Sequence, residues 1–508
     1  MQTFSTNPFQ FFRSSAGKVT ALATVIGLLV LSFASYAQSQ PNYPKTLSGY
    51  YAQKLDWQSC YSNYQCTDLL VPIDYTNLKT GTFHISVLKY STTTKKKIGS
   101  LIVNPGGPGA SGVDYAYSAE YLFSPDILDR YDIVGFDPRG VSRSEPIICL
   151  NDKELDVNYS SDSKPDNAKE FKDALAETKK FVAQCKKKNK HLSAYSTANA
   201  ARDMDILRQA VGDKQLNYMG KSYGTFLGTL YAQFFPDKVG RMVLDGAVDP
   251  TISNYQQSLT QAVGFDQAFD SFAAYCAKKS DCPLPKDKSA AVEAMQTIFT
   301  QASKNPLPTK KKSKRVATES LIVLGTASAM YDSKSGWSQL RKAITEAKNG
   351  YGDTFLKLAD QYTGRLPNGS YGNNEFDSGA IIDCLDFTDP RSVAQIKSDA
   401  HSFAQQAPLF GPYLAYSGLT CKYFDQTKAT KIVPTKTANP IVIIGTTGDP
   451  ATPYAWAQGL HKILTTSVLI SFSGEGHTGQ GQGNACVDKS VDRYLISGMI
   501  RTLDNFCK

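Results

Sequence analysis

Residues 216–235 read LNYMGKSYGTFLGTLYAQFF, and this stretch decides the fold. Leu216–Met219 is an apolar run that predicts a buried strand, and Thr225–Phe234 has the apolar spacing of a helix. The five residues between them follow the pattern G-x-S-x-G, whose glycines allow a tight turn from strand to helix. Such a turn exposes the side-chain oxygen of Ser222 at the end of the strand. The stretch therefore predicts a serine nucleophile, and an ordinary Gly/Ser turn is the alternative.

A serine becomes a good nucleophile only when a neighbouring base accepts its proton. The chain has five histidines. Among them, His477 follows a late predicted strand and lies in the glycine-rich loop GEGHTG at 474–479. A loop in this position brings an imidazole to the strand edge where the serine lies, so we predict that His477 is the base.

The acid that orients the histidine is expected at the end of a strand between the serine and the histidine. Asp449 follows the predicted strand Ile441–Ile444, which produces the chain order Ser, Asp, His of α/β-hydrolases. Asp245 directly follows another predicted strand, Met242–Leu244, and remains a rival. We predict Asp449 as the acid, although an aspartate before proline also starts turns.

A glycine-rich loop, NPGGPG at 104–109, follows the predicted strand Leu101–Val103. Backbone without side chains can direct N–H groups at a developing oxyanion. We predict the N–H groups of Gly107 and Tyr223 as the two donors, because Tyr223 directly follows the nucleophile.

Neither a cofactor nor a metal is predicted. The pattern G-x-G-x-x-G occurs at 107–112 and 474–479, but the first match contains a proline and the second lies in the last tenth of the chain. No cysteine or histidine cluster has zinc spacing. The formal charge is +9, yet the lysine clusters lie among Thr, Ser, Asn and Pro, which is typical of solvated loops. This pattern argues against a nucleic-acid partner.

Residues 1–37 have the three parts of a signal peptide. Arg13 and Lys18 supply positive charge, Ala21–Phe33 is apolar, and residues 35–37 form a small-x-small cleavage site. The apolar part is too short to span a hydrocarbon layer of about 30 Å comfortably. We therefore predict export to the periplasm or the extracellular space, with no stable membrane anchor; an uncleaved N-terminal anchor is the alternative.

Ten cysteines, an even number, fit an exported protein, because exported chains use disulfides to stabilise the fold. Composition alone leaves the connectivity open, and several free buried cysteines are the alternative. The positions fall into neighbouring pairs along the chain, and we predict the bridges Cys60–Cys66, Cys149–Cys185, Cys276–Cys282, Cys384–Cys421 and Cys486–Cys507.

Predicted strands and helices alternate through most of the chain, which is the pattern of a mostly parallel sheet with helices on both faces. Residues 251–433 interrupt this rhythm with amphipathic helical stretches and few strand signals. We predict an α/β-hydrolase fold with its core at 45–250 and 434–508, and a large, mainly helical lid insertion at 251–433.

Several strings make the match more specific than a general hydrolase fold: NPGGPGASG at 104–112, DPRG at 137–140, ANAARDMDILR at 198–208, GKSYGTFLGTLYAQFFPDKVGRMVLDGAVDP at 220–250, GDPATPYAWA at 448–457 and GEGHT at 474–478. Over roughly residues 45–508 the chain resembles the secreted tripeptidyl aminopeptidase family, which is related to proline iminopeptidases. Ser142 stands where that family has a glycine in a structural turn. The resemblance implies a triad of Ser222, Asp449 and His477, a C-terminal TAP-like region rich in cysteine, and release of short peptides, often tripeptides, from free N-termini.

A peptidase of this kind must recognise a free amine. A protonated amine held away from water needs a carboxylate partner, because an unpaired buried charge is costly. Asp383, Asp386 and Glu475 are the candidates, and for each a solvated acid or a helix cap is the alternative. Because a triad does not specify the acyl group, a carboxylesterase is the second hypothesis. A catalytically inactive binding module would be expected to lack a triad residue. The oligomeric state is left open.

Overall fold

The computed structural model describes residues 43–310, 315–387, 389–424, 429–500 and 506–508. The predicted signal peptide at 1–37 lies outside these residues. Within them, ten strands form one sheet: β1 (Gln58–Tyr61), β2 (Tyr64–Pro72), β3 (Thr82–Tyr90), β4 (Gly99–Asn104), β5 (Tyr131–Phe136), β6 (Leu216–Lys221), β7 (Val239–Asp245), β8 (Ile441–Gly448), β9 (Val468–Glu475) and β10 (Phe506–Cys507).

The spatial order of the strands is β1-β2-β3-β5-β4-β6-β7-β8-β9-β10. In this spatial order, every neighbouring pair from β5-β4 to β9-β10 is parallel. The pairs β1-β2, β2-β3 and β3-β5 are antiparallel. Every residue of β4 and β5 is buried, as expected for parallel strands that are covered on both faces. The predicted mostly parallel sheet is confirmed.

Nineteen helices accompany the sheet in the described part of the chain: α1 (Leu47–Tyr51), α2 (Gly112–Tyr117), α3 (Ala119–Leu122), α4 (Pro125–Leu128), α5 (Asp152–Ser160), α6 (Ala168–Lys188), α7 (Thr197–Ala210), α8 (Tyr223–Phe234), α9 (Asn254–Ala277), α10 (Lys288–Lys304), α11 (Glu319–Met330), α12 (Gly336–Lys348), α13 (Asp353–Thr363), α14 (Glu375–Asp386), α15 (Val393–Gln406), α16 (Gly411–Leu414), α17 (Leu419–Tyr423), α18 (Tyr454–Ile463) and α19 (Ala485–Ser497). Helices α7 and α8 contribute to one apolar cluster against the sheet, and α2 and α19 contribute to another. No described helix combines the length and apolar character needed to cross a bilayer.

The segment between β7 and β8 divides into two packing groups. Helices α9 to α13 enclose an apolar core of their own, which includes Phe272, Ile322 and Phe355. Helix α14 instead inserts Ile381 and Leu385 into the apolar cluster that packs on the sheet. The predicted boundaries at 251 and 433 stay a prediction, but the packing shows that α14 lies against the sheet domain.

Polar contacts also attach the start of α14 to the sheet domain. Asn374 precedes the helix, and its Nδ2 donates to the carbonyl of Gly140 at 2.9 Å. Asp377, in the first turn, accepts from the backbone N–H of Cys149 at 2.7 Å. Buried polar groups that are paired in this way hold a helix in one orientation.

The cysteines are paired in the structure as the sequence predicts: Cys60–Cys66, Cys149–Cys185, Cys276–Cys282, Cys384–Cys421 and Cys486–Cys507. The second and fourth of these bridges close loops with sequence separations of 36 and 37. In the chain-entropy model such a loop stabilises the fold by roughly 3–4 kcal/mol. Five disulfides are typical of a protein that folds in an oxidising compartment.

Candidate active site

Ser222 lies between β6 and α8, on the turn that the G-x-S-x-G pattern predicts. Its φ is 53° and its ψ is −126°, a conformation that residues other than glycine rarely adopt. The backbone N–H of Ser222 donates to the carbonyl of Asp245 at 2.9 Å. Its side chain makes no capping hydrogen bond to α8. The strained turn therefore leaves the Ser222 oxygen available at the carboxyl ends of the parallel strands.

His477 follows β9, and Asp449 follows β8, so both lie at this same edge of the sheet. The Nδ1 atom of His477 is 2.9 Å from both carboxylate oxygens of Asp449. That carboxylate also accepts from the backbone N–H groups of Ala451, Thr452 and Thr478 at 2.9, 2.9 and 3.0 Å. A carboxylate held in this way keeps the Nδ1 proton on its side of the ring and leaves Nε2 to accept a proton.

Asp245, the rival acid, has a different position. Its oxygens accept from the backbone N–H groups of Gly479 and Gln480 at 2.8 and 2.9 Å. Its carbonyl accepts the N–H of Ser222, so one buried residue connects the nucleophile turn to the loop that carries His477. Burial raises the pKa of Asp245. The imidazole itself is hydrogen-bonded to Asp449, which is the acid that the sequence favours.

The loop after β4 approaches the nucleophile very closely. Gly106 has a φ of 107°, and a Cβ atom at this position would lie 2.6 Å from the carbonyl oxygen of Lys221 and 2.9 Å from the Cβ of Ser222. Only glycine fits such an approach. The described residues supply no acceptor for the N–H groups of Gly107 and Tyr223. These N–H groups belong to the residues directly after Gly106 and Ser222, and their role as the oxyanion hole stays a prediction.

A segment between α11 and α12 forms a wall against the histidine. The carbonyl of Tyr331 accepts the backbone N–H of His477 at 2.9 Å, and the two rings meet edge to face with centroids 5.2 Å apart. The hydroxyl of Ser333 donates to the carbonyl of Glu475 at 3.2 Å. The helical insertion therefore contacts the base directly.

With this geometry established, comparison with known proteins identifies the family. A family model for the α/β-hydrolase fold matches residues 99–483, which is more than half of the chain. The chain belongs to the α/β-hydrolase family.

Several curated relatives match nearly the whole of this α/β-hydrolase. "Serine protease Hip1" of Mycobacterium tuberculosis is 35% identical over 468 residues, which cover 88% of this chain and 89% of that protein. "Carboxylesterase B" of Mycobacterium tuberculosis is also 35% identical, with 88% and 89% covered. "Tripeptidyl aminopeptidase" of Streptomyces coelicolor is 30% identical, with 89% and 86% covered. The predicted resemblance to tripeptidyl aminopeptidases is confirmed.

The three acids nominated for amine recognition differ in their surroundings. Asp386 of this α/β-hydrolase is buried and already accepts from Thr197, through the backbone N–H at 3.0 Å and through the hydroxyl. Burial raises its pKa to about 8. Asp383, one turn earlier, has no hydrogen-bond or ion-pair partner among the described residues, and burial raises its pKa to about 7. Of these two acids, Asp383 is the one that remains available to a ligand.

Glu475 lies at the end of β9, against the turn that carries the acid of the triad. A Cβ atom on Gly448 would lie only 2.3 Å from its Oε2. This oxygen is buried and has no hydrogen-bond partner among the described residues. Burial raises the pKa of Glu475.

Glu375, the first residue of α14, is a site residue that the sequence analysis missed. Its Oε1 lies 3.2 Å from the position that a Cβ atom on Gly107 would occupy. None of the described residues pairs with its carboxylate, and burial raises its pKa to about 7. Burial raises the pKa of Tyr331, and Tyr362, Asp449 and Glu375 raise it further. Its helical spacing from Asp383, eight residues or about two turns, was the available signal.

Proposed function

We propose that this protein is an exported serine peptidase that releases short peptides, with tripeptides as the expected length, from free N-termini. The observation that carries the proposal is the Asp449–His477 pair, with Nδ1 2.9 Å from the carboxylate, at the strand edge where a strained turn holds Ser222. Relatives named serine protease and tripeptidyl aminopeptidase support a peptide substrate.

Acylation begins when the Ser222 oxygen attacks the carbonyl carbon of the scissile peptide bond. His477 Nε2 takes the serine proton, and Asp449 stabilises the imidazolium that forms. The negative charge on the carbonyl oxygen is stabilised by the N–H groups of Gly107 and Tyr223. The C–N bond then breaks, His477 donates its proton to the leaving amine, and the N-terminal fragment stays on Ser222 as an ester.

Deacylation repeats these steps with water. His477 removes a proton from a water molecule, which attacks the ester carbonyl through a second tetrahedral intermediate. Collapse of this intermediate returns the proton to Ser222 and releases the N-terminal fragment as a carboxylic acid. The chemistry requires only an acyl group, so selectivity for N-termini must come from other residues of the cleft.

Glu375 is the residue we assign to the substrate ammonium, and Asp383, about 12 Å further along the same helix, is the alternative. Both lie on α14, and neither carboxylate has a partner among the described residues. Both side chains are half-buried, where an unpaired charge is still disfavoured, and pairing with an ammonium would offset that cost. Glu375 lies against the loop of Gly107, so it borders the part of the cleft that would receive the N-terminal fragment of the substrate.

Export rests on the predicted signal peptide at 1–37 and on the five disulfides. Disulfides persist in secreted and periplasmic proteins, whereas cytosolic thiols are kept reduced. Fractionation of cells that express the full chain, with N-terminal sequencing of the product, tests this part. Recovery of protein that begins near residue 38 outside the cytoplasm is expected. An intact N-terminus that stays with the membrane would contradict it.

A carboxylesterase with the same triad is the second candidate, because a relative named Carboxylesterase B is as similar as the serine protease. The test incubates residues 38–508 with a peptide library, free or acetylated at the N-terminus, and with p-nitrophenyl esters. Mass spectrometry identifies the products, and Ser222→Ala is the control. Acetylation is expected to lower kcat/KM at least tenfold, about 1.4 kcal/mol. Equal cleavage of both peptide forms would indicate an endopeptidase, and hydrolysis of esters alone would indicate the esterase.

A further inference from the structure

Asp386 is engaged by the sheet domain rather than open to a ligand. Its carboxylate accepts both the backbone N–H and the hydroxyl of Thr197, the first residue of α7. Ser196, the N-cap of α7, makes no side-chain capping bond. The Asp386 carboxyl on α14 therefore caps α7 from outside.

The Thr197 hydroxyl has a second partner, the phenolic hydroxyl of Tyr223. In its ionised form the Asp386 carboxylate can only accept, so the Thr197 hydroxyl donates its one proton to it. Tyr223 is therefore the donor to Thr197. The result is a buried chain of hydrogen bonds with one direction, from Tyr223 through Thr197 to Asp386.

This chain of hydrogen bonds begins at Tyr223, the residue whose N–H we propose as an oxyanion donor. Tyr223 directly follows the nucleophile and begins α8, so its ring and its N–H belong to the same first turn. A second contact supports this turn from the same side: the Phe387 ring, just after α14, lies 5.0 Å from the ring of Phe226. The end of α14 is thus connected to the first turn of α8 in two ways, through Thr197 and through the Phe387 ring.

We propose that Asp386 is a positioning residue for the oxyanion hole. Through Thr197 and the Tyr223 ring, it holds the first turn of α8 in the orientation that directs the Tyr223 N–H at the developing oxyanion. It contacts neither substrate nor reacting atoms. The inference rests on the serine-hydrolase chemistry of the proposed function but not on its peptide specificity.

The test uses Thr197→Val and Tyr223→Phe, singly and together, with p-nitrophenyl butyrate and a good peptide as substrates. Thr197→Val keeps the backbone N–H that Asp386 accepts, so the cap of α7 remains. Each variant is expected to lower kcat about tenfold on both substrates with KM nearly unchanged, because a misdirected donor acts in the transition state. The double variant is expected to lose no more than the worse single variant, since both changes break one chain.

A matched control is Thr229→Val in α8, because Thr229 is also a buried threonine and its hydroxyl donates to the Thr225 carbonyl in the same helix. It is expected to keep the wild-type kcat. Inhibition by a peptidyl boronic acid, which places an oxygen in the oxyanion hole, is expected to weaken about tenfold in Thr197→Val and Tyr223→Phe. A product carboxylate is expected to bind as well as it does to the wild type.

Three results would overturn the inference: wild-type kcat in both single variants, multiplicative losses in the double variant, or a rise in KM for the peptide with ester turnover intact. The last result would mean that the Tyr223 hydroxyl touches the substrate. The ester separates this inference from the peptidase proposal. If the wild type hydrolyses the ester but no peptide, the proposed peptidase activity is contradicted. The ester kcat of the variants still tests the role of the hydrogen bonds from Tyr223 through Thr197 to Asp386.

Discussion

Two groups of carboxylates lie near the cleft, and they differ in how many hydrogen bonds they accept. At the ends of β7 and β8, Asp245 and Asp449 accept hydrogen bonds from two and three backbone N–H groups. On α14, Glu375 and Asp383 have no partner among the described residues. A fully hydrogen-bonded carboxylate is suited to holding other groups in place, whereas an unpaired one is suited to a cationic ligand. We propose that the hydrogen-bonded acids support the catalytic groups, whereas the unpaired acids select the substrate.

The largest expected effect is on the chemical side of this comparison. Ser222→Ala is expected to lower kcat by about 10⁶, and His477→Ala by about as much, because the triad acts as a unit. Asp449→Ala is expected to cost less, about 10⁴. Steady-state kinetics on protein with a wild-type circular dichroism spectrum measures these losses. Substantial turnover by Ser222→Ala would mean that another nucleophile carries the reaction.

The two fully hydrogen-bonded acids are expected to differ from each other. Asp245→Asn replaces one of the two oxygens that accept the Gly479 and Gln480 N–H groups with an NH2 group, which loosens the base loop. We expect kcat to fall about 10² because a shift of about 1 Å costs that much. Asp449→Asn is expected to cost more, since it also loses the imidazole partner. A folded Asp245→Asn that is far less active than Asp449→Asn would make Asp245 the catalytic acid.

The unpaired acids predict a pH dependence of the preference for free N-termini. Burial raises the pKa of Glu375 and of Asp383 to about 7, and only the ionised form pairs with an ammonium. The ratio of kcat/KM for free over acetylated peptide is therefore expected to rise as the pH increases through about 7 and to fall again above about 8, where the substrate amine loses its proton. The same triad acts on both substrates, so the pH dependence of the chemical step cancels in the ratio. A ratio that is constant from pH 5.5 to 8.5 would contradict the assignment.

The smallest effect concerns stability. The pKa of Glu375 is raised from an ordinary 4.5 to about 7, so the folded state binds more protons than the unfolded state between these values. Stability contributed by this group is therefore lost as the pH rises through about 7. Glu375→Gln avoids that loss and is expected to be more stable than wild type at pH 8, by about 1–3 kcal/mol. Urea unfolding at pH 8 and pH 4 measures it, and no gain at pH 8 would contradict the burial argument.

Local patterns explain which features the sequence could predict. The turn that carries Ser222 and the buried parallel strands were predictable because their sequence patterns lie within a few consecutive residues. Strands β1 and β10 were not predicted from the sequence. The sequence of β1, QSCY, is mostly polar, and the two residues of β10 are too few to form a pattern. The position of Glu375 depends on the packing of α14 against the loop of Gly107, which is a tertiary contact. The pairing of Asp386 with Thr197 is likewise a tertiary contact, because the two residues are far apart in the sequence.

The central claim is that the unpaired carboxylate beside the oxyanion loop selects free N-termini. The most direct test compares Glu375→Gln with wild type on one tripeptidyl p-nitroanilide, with its N-terminus free or acetylated. We expect wild type to prefer the free peptide at least tenfold, which corresponds to about 1.4 kcal/mol. In Glu375→Gln that preference is expected to fall below about twofold, through a higher KM for the free peptide and no change for the acetylated one. An unchanged preference in a folded Glu375→Gln would contradict the claim.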